Sequence, residues 1–269
     1  MSDEQALAEA PEEQLPAKFD YGTDANDGFE NQDAGDVQIP FIQIVQGLSP
    51  QLQKDNAQKF IDGCSQGDLF DSVSNELLPS ELTFVPAIRT KCINEWVPRT
   101  QGGGFVTSYP TNDPIWARAK DEAGTQFGKI PHPETKNDLV ETTYLFGIVP
   151  ELGNAPYVLS FSSTKLKVWR KWNTQMNNCR LENGQKPPLF AHCVKLSTVS
   201  ETNRTNQTYY NLLIKPVEGT LIDSLLAPND PRFTAAKTLR EMVEQGAAKV
   251  AEERREDGAS DEEDGEGVF

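Results

Sequence analysis

The chain has 269 residues, room for one large domain or two small ones, and 37% hydrophobic residues are enough for a core once the ends are set aside. No stretch approaches the roughly 20 continuous apolar residues of a membrane span, and Met1 to Ala10 lacks the basic start and apolar run of an export signal, so an intracellular protein is expected. The formal charge of -16 would ordinarily argue against a polyanionic partner.

That average hides a partition. Residues 1–36 hold eleven acids against Lys18 alone and show no sustained period, which predicts a disordered acidic arm. A β-rich core is expected over 37–230. It opens at "VQIPFIQIVQGLSPQ", where apolar residues run up to the breakers Gly47 and Pro50. Further strands are expected at "GDLFDS", "ELTFVPAIRTKCINEWVP", "GGGFVTS", "LVETTYLFGIVP", "PYVLSFSS", "LFAHCVKLSTVS" and "TYYNLLIKPV", each rich in β-branched and aromatic residues. The glycines of "QGGGFVTSY" suit either a hairpin tip or close approach to a ligand. Trp96, Arg99 and Phe105 beside them keep the binding reading open.

One internal helix is predicted at "STKLKVWRKWNTQMNN", capped by Ser163 or Thr164, with Leu166, Trp169, Trp172 and Met176 near one face as core. Strands, one helix, then two more strands fit an antiparallel barrel of the OB type with long loops. A second helix with a linker is expected over 231–256, and residues 257–269 read as a disordered acidic tail. Residues 256–269 carry seven acids and no base. Removing both ends leaves +1 for residues 37–255, so the middle is free to be locally basic.

It is basic between Ser160 and Lys215. Lys165, Lys167, Arg170, Lys171, Arg180, Lys186, Lys195, Arg204 and Lys215 face only Glu182 and Glu201, a local +7 able to neutralise phosphates and release their counterions. Cations with aromatic rings are what holds single-stranded nucleic acid, each base stack being worth roughly 1–3 kcal/mol. Of Tyr209 and Tyr210, neighbours on a strand, one is expected to point outward and stack. Catalysis has little to stand on. His132 and His192 are the only histidines, no nucleophile elbow or phosphate loop is present, and Asp55, Asp62, Asp68, Asp71 and Glu76 are spread along loops. Cys64, Cys92, Cys179 and Cys193 include no Cys-x-x-Cys pair. A non-enzymatic protein without metal or cofactor is therefore expected.

The chain ends in "DEEDGEGVF", a run of carboxylates closed by an aromatic ring. Through Asp261, Glu262, Glu263, Asp264, Glu266, Val268 and Phe269 it resembles the single-stranded DNA-binding proteins of bacteria and tailed phages, whose acidic C-termini end in Phe. Val268 stands where bacterial members have Pro, which tilts the resemblance toward a phage-encoded member in a bacterial cytoplasm. The resemblance implies an OB-fold core, protection of single strands in replication and recombination, and docking of the tail on a polymerase, helicase or primase. A homodimer is among the expected assemblies. The rival expectation is a protein-binding module, a DNA mimic or regulatory phage factor whose acidic ends occupy a host enzyme.

Overall fold

A computed structural model describes residues 38–124, 128–203, 206–245 and 249–250. Eleven strands and three α-helices lie among them: β1 (Gln38–Ile39), β2 (Ile42–Ile44), β3 (Leu69–Asp71), β4 (Leu82–Trp96), β5 (Phe105–Pro110), α1 (Pro114–Ala123), β6 (Lys129–Pro131), β7 (Asp138–Val149), β8 (Ala155–Phe161), α2 (Lys165–Asn178), β9 (Val194–Thr202), β10 (Thr208–Pro216), α3 (Pro231–Glu244) and β11 (Lys249–Val250). The fold is mostly β, and the strand pairs of its main sheet are all antiparallel.

β4 and β7 form the axis, paired from Val85↔Ile148 to Trp96↔Asp138. At one end the ladder widens to the order β10-β9-β4-β7-β8; at the other, β5 joins β4 and β6 joins β7. The wider end therefore runs through the chain as three strands (β4, β7, β8), a helix (α2) and two strands (β9, β10). A closed barrel would need β8 to pair with β10, and among the described residues they do not pair. The expected ring is open there because α2 packs against both strands, its Trp169, Trp172 and Met176 buried beside Leu159, Phe161 and Leu212. Residues 40–46 cross the same gap. The Pro40 carbonyl accepts from Val158 N at 2.9 Å on β8, while the Gln46 amide brackets the backbone of Tyr210 on β10, donating to its carbonyl at 2.8 Å and accepting from its N–H at 3.0 Å.

The period of two decides which core each side chain joins. Leu82 and Phe84 of β4, Leu145 and Val149 of β7, and Tyr157, Leu159 and Phe161 of β8 face α2. Val85, Ala87, Phe146, Ile148 and Val158 face the other way, under Ala236 and Leu239 of α3. These strands read as near-continuous apolar runs because both faces are covered. Gly147 sits where β4 and β7 approach most closely: a Cβ there would stand 2.3 Å from Phe84 Cζ and 2.6 Å from the Val85 carbonyl. α3 ends at Glu244, inside the stretch 231–256 expected to hold a helix and a linker, and the backbone at Lys249–Val250 pairs in parallel with β1.

The narrow end is a lobe with its own small core of Ile93, Trp116, Ala119, Ile130 and Leu139 beneath α1. α1 begins where the Asp113 carboxylate accepts from Ile115 N at 2.9 Å, with Pro114 in the first turn, and stops at Gly124, whose φ is +63°. A buried carboxylate ties the lobe together. Glu95 accepts from Tyr109 Oη (2.6 Å), Asn137 Nδ2 (2.6 Å) and Thr135 Oγ1 (2.8 Å). Burial pushes its pKa up, but those three donors and nearby His132 outweigh it and hold the carboxyl below its usual range. The same bond, with burial, pushes Tyr109 up to about 12.

Candidate nucleic-acid interface

α2 carries four bases and no acid. Its buried residues Trp169, Trp172 and Met176 recur at helical spacing, which turns Lys167, Arg170 and Lys171 outward and leaves Lys165 half-buried. Trp169 and Trp172 are core, stacked edge to face with centroids 5.9 Å apart, and neither is a surface ring. Thr164 precedes the helix without a side-chain cap bond.

Between α2 and the β9–β10 hairpin lies a groove of about 1010 Å³. Lys167 and Lys171 stand on its helical wall and Lys215 on its strand wall, with Trp172, Leu213 and Ile214 among the apolar lining. Two lining apolar side chains are open to solvent, Val199 at 36% and Ile222 at 53% exposure. Glu201 is the acid in this lining. Its carboxylate accepts from Lys167 Nζ (2.8 Å), Tyr209 Oη (2.6 Å) and Asn211 Nδ2 (3.1 Å). Burial raises the Glu201 pKa, but the Lys167, Tyr209 and Asn211 bonds together prevail and hold it low. Burial and the bond to Glu201 push Tyr209 up.

The predicted residues divide into groups. Lys167, Lys171 and Lys215 meet at the groove, and Lys165 and Arg170 share the helix beside it. Arg180 turns back on the end of α2, donating to the carbonyls of Cys179 (2.8 Å) and Asn177, and Lys186 donates to Asn177 Oδ1. Lys195 pairs across the hairpin with Lys215 but is ion-paired with Glu81 at 2.6 Å and does not line the groove. Arg204 lies outside the described residues, as do Asp261, Glu262, Glu263, Asp264, Glu266, Val268 and Phe269.

Neither tyrosine is the outward ring that alternation predicts. Tyr209 is buried, with Lys167 Nζ 5.8 Å from its ring centroid. Tyr210 is half-buried and lies so close over Gly67 that a Cβ on that glycine would stand 2.5 Å from its Cδ1. The reason is that β10 is covered on both sides, by α2 and by the 40–46 segment with its following turn. Trp96, Arg99 and Phe105 sit together at the tip of the lobe, at the opposite end of β4 from the strand that pairs with β9. Trp96 is buried against Phe105 (centroids 5.4 Å apart), and Phe105 is 39% exposed. Gly102, Gly103 and Gly104 all have positive φ with open space where a Cβ would stand, as a hairpin tip requires.

Asn211, Val199 and Ile222 escaped the sequence reading, and Glu201 was counted there only as one of two acids among the bases. A register fixed by the short 203–207 connection pairs Tyr209 with Glu201 across the hairpin, and that is the signal that could have found the acid. Among the described residues no group of three His, Cys, Asp or Glu side chains could hold a metal ion.

Residues 6–249 match the model of a family described as Pam3 phage gp34-like protein. No curated protein and no solved structure matches.

Proposed function

The chain belongs to the Pam3 phage gp34-like protein family, and from that premise we propose that it is a phage single-stranded DNA-binding protein, acting without catalysis. One observation carries the reading: an acid-free helix sets Lys167 and Lys171 across an apolar groove from Lys215. Cations at a rim can follow a phosphate backbone while an apolar floor receives the faces of unpaired bases. The order of three strands, a helix and two strands supports an OB-type core, held open by α2. In this reading the acidic tail ending in Phe269 recruits replication or recombination proteins.

The test is a filter-binding titration of the full chain against poly-dT and against a duplex at two salt concentrations. Single strands should be bound with strong salt dependence, and Lys171→Ala and Lys215→Ala should each weaken binding and flatten the log–log salt slope by about 0.7. Binding of neither nucleic acid at low salt would overturn the proposal. It would favour the rival reading, a DNA mimic acting on a host enzyme, for which the -16 net charge speaks.

A further inference from the structure

Glu201 stands out in a groove whose other charged lining residues, Lys167, Lys171 and Lys215, are cations. One of its oxygens, Oε2, is held by an ammonium, a phenol and an amide, a set of donors that would serve a phosphate oxygen equally well. The arrangement is anchored from behind. Tyr209 is buried, and Asn211 also donates to the Thr164 carbonyl at 3.3 Å where α2 begins. Lys167 is different: its side chain is 56% exposed and its ammonium reaches the carboxylate from the solvent side. An ion pair in such a place is weak and open to competition.

We propose that Glu201 is a built-in stand-in for a backbone phosphate, holding Lys167 in the empty groove and giving it up when a strand enters. This rests on the single-strand reading above and names the charge that the strand must displace. One carboxylate holds Lys167 alone, whereas a strand offers successive phosphates to Lys167, Lys171 and Lys215 together. Because its donors keep Glu201 ionised through the neutral range, it gives up Lys167 by competition and not by taking up a proton. The carboxylate then lies beside the incoming phosphates as a like charge, so it lowers affinity for any strand that does not engage the rest of the groove.

Glu201→Gln keeps an oxygen to accept from Tyr209 or Asn211 and removes the charge. At about 0.15 M salt it should bind poly-dT roughly three- to tenfold more tightly than the unaltered chain, with a log–log salt slope steeper by about 0.7, one further phosphate contact. The gain should shrink when Lys167→Ala is added, leaving only the relief of like-charge repulsion, which a double-mutant cycle reads directly. Binding by the variant alone at this salt, with the unaltered chain binding once the salt is lowered, would also support the proposal, since the carboxylate would then be restraining the groove. Equal affinity and slope in the two proteins, both binding, would overturn this inference and leave the single-strand reading standing. Binding by neither would overturn both. Should Glu201→Gln fail to fold, judged by its thermal midpoint, Lys167→Ala decides instead. It removes a cation that the carboxylate already engages before a strand enters, so it should weaken poly-dT binding less than Lys171→Ala does; equal losses would refute the proposal.

Discussion

His192 shows how one side chain couples this fold to pH. It is about 1% exposed, its Nδ1 has no hydrogen-bond partner among the described residues, and burial, with Lys186 nearby, pushes its pKa down from 6.5 to about 4. Between those values the unfolded chain binds the proton and the folded chain does not. Stability therefore rises with pH across the window and falls as pH drops through it, by about 3 kcal/mol in all. Urea unfolding at pH 7 and pH 4.5 should show His192→Gln losing about 2 kcal/mol less than the unaltered chain on acidification. Equal losses would mean that His192 is not the group responsible. Gly67 makes a complementary point about geometry. With φ at +93° and the Tyr210 ring against it, it accepts no side chain, so Gly67→Ala should cost on the order of 2 kcal/mol in chemical denaturation.

At the level of elements, much was legible and the exceptions have physical causes. The strands β3, β4 and β10 fall within the stretches read as such, and β5, β7 and β8 overrun theirs by one or two residues, because β-branched and aromatic runs bounded by Gly, Pro or Asn leave little else. α2 was legible from Trp169, Trp172 and Met176, which also gave its outward cations. α1 was missed although "NDPIWARAKDEAG" carries an Asp cap, a first-turn Pro and a closing Gly; its Ile and Trp were too few to show a helical period. The groove was only half legible. Charge counting found Lys167, Lys171 and Lys215, but their meeting depends on α2 lying across β10, a contact between segments roughly forty residues apart. Nor does composition show that Gln46 would act as a missing strand, 164 residues from its partner Tyr210. Gln46→Ala strips both bonds from that half-buried backbone and should cost about 1–3 kcal/mol, read as a lower thermal midpoint. An unchanged midpoint would show that the 40–46 segment does not brace the gap.

For the whole molecule, charge is sorted by position. The two acidic ends flank a middle of +1, so the polyanion-repelling average describes no single surface. Removing Asp261–Phe269 should keep or raise poly-dT affinity in filter binding while abolishing capture of a replication partner; a fall in DNA affinity would contradict the role given to the tail.

The long β4–β7 ladder has a mechanical corollary. Fifteen residues of β4 run from the sheet that bears α2's groove to Trp96 beside Phe105, roughly 50 Å with no loop along the way. With no loop to serve as a wrist, the bearing of one extremity on the other is set by the bulge at Pro86–Ile88, where the pairing with β7 shifts. Whatever grips both is held to a fixed span, and a load applied at one extremity is felt at the other.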